Sequence, residues 1–484
     1  MAEVAVVGAG IGGLAAAVHL AAAGHDVVVL ERLDRAGGKL DERVAGGFRW
    51  ETGPSLLTLP AVFADLAATA GRSLDELVTL HRLDPICRYR FPDGSTFDHR
   101  ADVDEAAAAA EALSPGSGAE WRAFMDHAGH VWDVAEQTFL AGPMEQPLAL
   151  LRRMRSPRDL LAIDPLRSLH ARASASFSDP RLVQYVDRYA TYSGSSPFRA
   201  PATLCCIAHI EQALGAWSVE GGLGRLADAV ADLARSAGAT LRLGAEVEAI
   251  EHAGGRVRGV RLADGSMVRA DAVVANVDAL HLYRDLLPHP RRRRRTELAA
   301  RSTSGYVLLL GVQGRTEGLA HHNISFSADY EAEFDAISER GVVARDPTVY
   351  VCASSVTDPT AAPEGCESWF VLVNAPAGAG GLPAYGDHVL EVMAARGWEL
   401  GGRIVHREDI TPADFEHRFR TPGGSIYGTS SNGRAAAFLR PGNRGPLDGL
   451  YLCGGSSHPG GGLPLVAMSG RIAADLCLAD LSRS

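Results

Sequence analysis

Apolar residues gather first at Val4-Ala5-Val6-Val7 and again at Val27-Val28-Val29-Leu30, with an alanine-rich stretch of helical spacing between them. Both runs are short and rich in β-branched side chains, as strands buried on two faces are. The helical stretch is entered through Gly8, Gly10 and Gly13, and the second run closes on Glu31. The predicted order is strand, glycine turn, helix, strand. In that setting the glycine spacing has a physical meaning. Gly8 permits a tight turn, Gly10 lets backbone approach a pyrophosphate, and Gly13 lets helix and strand pack closely. The helix N-terminus adds unpaired N–H groups and the positive end of its dipole. Glu31, 18 residues after Gly13, stands where a carboxylate accepts hydrogen bonds from a ribose diol. The pattern specifies a dinucleotide and leaves NAD and FAD both open.

Farther along, Gly47 to Pro60 (GFRWETGPSLLTLP) reads as a loop with a Gly53-Pro54 turn. Residues 100–190 are helical in composition. Within them, 146–172 mixes Leu, Met and Ile with Arg152, Arg153, Arg155, Arg158, Arg167 and Arg172 at roughly helical spacing. Such a segment suits a helix lying on an anionic membrane, and equally a helix packed on its own core with a solvated Arg face. From Trp217 the pattern changes. A helix running to Ala237 precedes short strands with turns at Gly254-Gly255 and Asp264-Gly265, ending in the apolar strand Ala272 to Val277. Strands at Val307–Val312, Thr348–Ala353 and Ser368–Asn374 and a helix at Gly386–Arg396 suggest a second sheet. The run Arg291–Arg295 follows Pro288 and Pro290 and reads as a solvated loop or helix start.

At the other end, an apolar strand (Leu450 to Cys453) runs into Gly454, Gly455, Gly460, Gly461 and Gly462, then Leu463-Pro464 and a helical segment. A second glycine-rich strand-to-helix junction implies that the chain returns to the same ligand. Its glycines admit something flat or charged, and the next helix N-terminus can face a polar ring edge. The pyrimidine carbonyls of a flavin fit that description, and an NAD-only enzyme has no comparable need.

Composition narrows the picture. With 484 residues, two domains are expected. A net charge of −11 argues against nucleic acid as a partner. Seven cysteines without a C-x-x-C imply reduced thiols in a cytoplasmic setting, and Cys205-Cys206 read as small buried hydrophobes. No apolar run is long enough for a transmembrane helix, and the first strand leaves no room for a signal peptide. Of 47 basic residues only Lys39 is lysine, which singles out Gly37-Gly38-Lys39. Its ammonium is either a point charge for the flavin and phosphate region or an ordinary surface group. His321-His322 has no further ligand nearby in sequence at zinc spacing, so no metal is expected.

The opening fingerprint, the GGK and ETGPSLLT segments, RYATYSGSSPFRAP (188–201), EQALGAWSVEGGLGRLADA (211–229) and GGSSHPGGGLP together resemble the phytoene desaturase (CrtI-type) flavoprotein family. The resemblance spans almost the whole chain. Its ending and the RYATY segment resemble the branch acting on hydroxylated or late carotenoids, including 1-hydroxycarotenoid 3,4-desaturases. It implies an α/β fold with a glutathione-reductase-like (Rossmann-type) FAD-binding domain, drawn from 1–95, 212–285 and 440–484. A discontinuous α+β substrate domain is then expected from 96–211 and 286–439, with 137–177 as a helical membrane-facing part. FAD contacts fall on Gly8, Gly10, Ile11, Gly12, Gly13, Glu31, Arg32, Gly37, Gly38, Lys39, Gly53, Pro54, Ser55, Val247, Asn276, Gly454, Gly455, Gly462, Leu463 and Pro464. The wider fold superfamily usually carries an acidic residue after the C-terminal strand. Gly454, Gly455 and Ser456 stand there instead, so ribityl contacts fall to backbone or hydroxyl groups.

The activity implied is desaturation of a lipophilic carotenoid met at the inner face of a membrane, with oxygen or a quinone as final acceptor. Removing hydride and proton beside a polyene leaves a delocalised cation that loses its proton easily, so no strong base is demanded. Candidates for a catalytic part are His458, Glu211 and His209. Glu211 reads first as a paired or capping carboxylate, and His458 equally as a loop-ordering residue. Isomerisation or oxygenation of a polyene, amine oxidation, and non-catalytic prenyl binding are the competing activities on this fold.

Overall fold

The computed structural model describes residues 1–140, 142–143, 163–164, 166–433, 436 and 440–483. Its first sheet is parallel and five-stranded, in the order Leu450–Leu452, Ala272–Ala275, Glu3–Val7, Asp26–Leu30, Thr240–Arg242. Val4 pairs with Ala272 on one side and Val27 on the other, so the amino-terminal strand is central. Side-chain alternation divides its apolar residues between two cores. Val4, Val6, Val27 and Val29 face the helices Ile11–Ala22, Gly224–Ser236 and Leu463–Leu481. Ala5, Val7 and Leu30 face an antiparallel three-stranded layer, Val247–Ala253, Arg256–Leu262 and Met267–Arg269. Burial on both faces is why these strands read as unbroken apolar runs.

A second sheet has seven strands, in the order Ile404–Ile410, Ser304–Gln313, Cys366–Ala375, Val349–Cys352, His322–Ser325, Cys87–Arg90, Thr96–His99. Here the strand pairing corrects the expected boundary at residue 95. Cys87–Arg90 pairs in parallel with His322–Ser325 and antiparallel with Thr96–His99. The hairpin around Asp93-Gly94 is thus one unit of the second sheet, and cutting it at 95 would separate paired strands.

Against the edge of this sheet packs a helical layer that includes Val103–Leu113, Ser117–Ala135, Leu169–Ser176 and Pro180–Asp187. Its core is aromatic, with Phe97, Trp121, Tyr185 and Tyr189 all buried. Most of the arginine-rich part of 137–177, including Arg152, Arg153, Arg155 and Arg158, lies outside the described residues. Arg167 and Arg172 lie within them, and both pair with Asp164. Among the described residues no helix is long and apolar enough to cross a membrane. The run Arg291–Arg295 forms the first half of helix Pro290–Leu298, with Pro290 at its start and His289 Nδ1 accepting the Arg292 N–H. All seven cysteines are unpaired and six are buried.

Candidate functional site

The two glycine junctions meet at the carboxyl ends of Glu3–Val7 and Leu450–Leu452, on either side of the end of Ala272–Ala275. Gly8 has φ +95°, and a side chain there would stand 2.7 Å from the Asn276 carbonyl oxygen. A Cβ on Gly13 would lie 2.2 Å from the Gly8 carbonyl oxygen, and one on Gly12 would lie 3.1 Å from Gly454 Cα. Asn276 is the hub, its Nδ2 donating to the Gly8 carbonyl at 3.2 Å while its Oδ1 occupies the space a Gly454 side chain would need. Gly10 precedes helix Ile11–Ala22 and Gly462 precedes helix Leu463–Leu481, and neither helix has a side-chain cap. Two sets of backbone N–H groups are therefore left for a ligand.

Glu31 closes the turn from the side. Its Oε2 accepts the Ala9 N–H at 2.7 Å and its Oε1 the Leu33 N–H at 2.8 Å. Each carboxylate oxygen retains a lone pair for a hydroxyl, so the group both orders the turn and can accept from a ribose. Gly10 and Gly37 form an isolated bridge, and the Gly37 N–H donates to the Ala9 carbonyl at 2.9 Å. Val247 forms part of the apolar wall with Val7 and Leu30. Arg32 points elsewhere. Its guanidinium donates to the His417 and Arg418 carbonyls at the end of helix Pro412–Phe419, so the structure gives it a structural partner.

Lys39 is no ordinary surface lysine. Its Nζ donates to the Ser425 and Ile426 carbonyls at 3.1 and 2.6 Å. Burial pulls its pKa down to about 8, against the upward pull of Asp278. Gly53 packs on this segment so tightly that a Cβ would fall 1.7 Å from the Lys39 carbonyl oxygen. Beyond Pro54, the Ser55 Oγ lies 2.5 Å from the Tyr350 hydroxyl. The carboxy-terminal loop is fixed by Arg440, which donates to the Gly455 and Thr429 carbonyls at 2.7 and 2.8 Å, and by Tyr427, whose ring fills the space beside Gly461.

A glycine floor, two open helix ends and a carboxylate at ribose distance fit a dinucleotide, and a second floor built from the other chain end fits a flavin. Comparison with known proteins agrees. The family of flavin containing amine oxidoreductases matches residues 11–360. A hydroxyneurosporene desaturase of Rubrivivax gelatinosus is 37% identical over 99% of this chain and 94% of its own. A 4,4'-diapolycopene oxygenase of Methylomonas sp. is 35% identical over 99% and 98%. An oxidoreductase from Methanosarcina mazei, 18% identical, superposes with a TM-score of 0.67 over 98% of this chain and 100% of its own, which shows the fold. This chain belongs to the flavin-containing amine oxidoreductases, with the carotenoid desaturases. It is an FAD-dependent oxidoreductase.

In this flavoprotein the three catalytic candidates stand apart. Glu211 is buried, and its two oxygens accept from the Tyr189 hydroxyl at 2.9 Å and the Tyr192 hydroxyl. Burial raises its pKa against those two donors. His209 faces another way and packs its ring beside Gly129 of helix Ser117–Ala135. His458 is buried in the glycine-rich loop, with its Nε2 3.1 Å from the Gly142 carbonyl and its own carbonyl accepting from Asn443 and Ser469. It orders the loop.

Two groupings were not evident from sequence. Cys352 joins His321 and His322, with ligand atoms all within 4.8 Å, because Cys352 pairs with His322 across strands. Sequence spacing alone therefore misjudged this neighbourhood. The three residues are held by hydrogen bonds: His321 Nε2 to the Cys352 thiol at 3.5 Å, His321 Nδ1 to Thr357 at 2.6 Å, His322 Nδ1 to the Tyr350 hydroxyl at 2.8 Å. Burial pushes the thiol pKa up and both imidazole pKa values down. The second grouping is Arg188 with Tyr192 and Tyr350, of which only the RYATY motif gave a sign.

Proposed function

We propose that this flavoprotein desaturates an acyclic carotenoid bearing a hydroxyl near one end, at the 3,4 bond. The observation that carries this reading is the full-length 37% identity to a hydroxyneurosporene desaturase. Bound FAD supplies the two-electron acceptor. Glu31 takes the adenosine ribose, the N–H groups after Gly10 take the pyrophosphate, and the 454–464 loop with Lys39 and Gly53–Ser55 holds the isoalloxazine end. The chain's part in the chemistry is to place a saturated carbon–carbon bond beside the polyene against the cofactor and to exclude water. The departing proton is acidified by the conjugated system, so it needs no strong base. That agrees with Glu211 and His458, which are committed to tyrosine hydroxyls and a loop carbonyl. The substrate dissolves in lipid, so the protein works at the inner, cytoplasmic face of a membrane and passes electrons to oxygen or a quinone.

Purified holoprotein incubated with a 1-hydroxylated acyclic carotenoid in liposomes tests this. A product lacking two hydrogens and absorbing at longer wavelength is expected. A product of unchanged mass would overturn desaturation and leave isomerisation. A product heavier by oxygen would establish the second reading, oxygenation, favoured by the 35% identity to a 4,4'-diapolycopene oxygenase.

A further inference from the structure

Arg188 is a half-buried cation with no ion pair among the described residues. Its guanidinium lies over the rings of Tyr192 and Tyr350, 5.2 and 5.7 Å from their centres. Only Nη1 has a protein acceptor among the described residues, Thr191 Oγ1 in its own turn at 2.7 Å. The hydrogen bonds of the nearby carboxylates go elsewhere. Both Glu211 oxygens are taken by tyrosine hydroxyls, and Asp187 binds His170 Nδ1 at 2.7 Å. Around Arg188, Tyr89, Cys87 and Tyr330 are only 3%, 5% and 7% exposed. Arg188 itself is only half-buried, so its guanidinium stays open to a space beside it.

Its place in the fold says what fills that space. Tyr350 is hydrogen-bonded to Ser55, beside the Gly53-Pro54 turn, so one face of the guanidinium is a single side chain from the cofactor-facing loop. A guanidinium over two aromatic rings is favoured by cation–π attraction, and its fork can only donate. An interior charge without a partner is costly unless a ligand supplies one.

We infer that Arg188 is a specificity-determining group of the substrate site, its open N–H fork binding a hydroxyl or carbonyl oxygen at the end of the polyene, a few bonds from the bond oxidised. This rests on the carotenoid reading above. A hydrocarbon end leaves the fork desolvated and unpaired, and a site built to hydrogen-bond an oxygen rejects the analogue that lacks it. A hydrogen bond to a charged group corresponds to a preference of about 10- to 100-fold.

The test compares kcat/KM for a 1-hydroxylated acyclic carotenoid and for the same carotenoid without the hydroxyl, using wild-type holoprotein and the variants R188L and R188Q. The wild type is expected to prefer the hydroxylated substrate by at least about tenfold, and each variant to bring that ratio to within about twofold of unity. R188K should recover only part of the preference, because an ammonium keeps the charge and loses the fork. Flavin content and visible spectrum report folding, and R188Q serves if R188L fails to hold FAD. A preference retained in R188Q overturns the inference. A wild-type protein that desaturates neither carotenoid overturns the functional reading instead.

Discussion

Gly470 of the last helix lies against Gly12 of the first, so close that a Cβ on Gly470 would stand 2.2 Å from the Gly12 carbonyl oxygen and 2.9 Å from the Ala16 nitrogen. Both neighbours are helix backbone, which cannot move aside as a side chain can. The contact brings Gly10 and Gly462, which open those helices, to the same cleft. Gly470→Ala is therefore expected to cost about 1–3 kcal/mol by overpacking and to spread the two helix starts. Thermal unfolding and the visible flavin absorbance of the purified variant check this together. Wild-type stability with full flavin content would show that the helices separate freely.

Glu31 does two tasks with one carboxylate, accepting from Ala9 and Leu33 while leaving lone pairs for the ribose. Glu31→Gln places an NH2 group against one of those N–H donors and removes the charge. FAD affinity should fall by about 10- to 100-fold, the equivalent of one charge-assisted hydrogen bond. Titrating deflavinated variant with FAD measures it. Unchanged affinity would remove Glu31 from the cofactor site.

How much of this was legible depends on how local each feature is. The Gly8–Glu31 unit could be read because its strand, turn, helix and strand are contiguous and every glycine has a geometric duty within the unit. The 454–464 junction could be read from its glycine density. The parallel pairing of Cys87–Arg90 with His322–Ser325 could not, since a short alternating strand carries no mark of a partner so far along the chain. Arg32 follows Glu31 in sequence, yet the strand ends there and its side chain meets the end of another helix. Arg188 sat in a recognisable motif, but that it has no counter-ion among the described residues is a property of three-dimensional surroundings alone.

Glu211 tests the difference between positioning and proton transfer. Its carboxyl group is the acceptor for two buried tyrosine hydroxyls, Tyr189 and Tyr192. Glu211→Ala leaves both without an acceptor and should destabilise the protein by about 2–4 kcal/mol. Glu211→Gln keeps an acceptor oxygen, and its kcat should stay within about tenfold of wild type, below the range of a lost general base. A larger loss in a variant that retains flavin would make Glu211 a proton-transfer group.

Glu51 gives the protein a pH dependence of its own. It is 6% exposed, its Oε1 accepts the Leu223 N–H at 2.8 Å, and its Oε2 has no partner. Burial raises its pKa from 4.5 to about 7, opposed by Leu223 and Arg49. Between those values the folded protein keeps a proton that the unfolded chain has released. Its contribution is thus fully present below pH 4.5 and is lost as pH rises through 7, reaching a cost of about 3 kcal/mol above it. Glu51→Gln keeps the acceptor for Leu223 and cannot ionise. Relative to wild type, the variant should gain stability steadily between pH 5 and pH 8, by about 2–3 kcal/mol across that span, even if its unpartnered NH2 group lowers both values. Urea unfolding at the two pH values measures the change, and parallel pH dependences in wild type and variant would mean that Glu51 is already ionised in the folded protein.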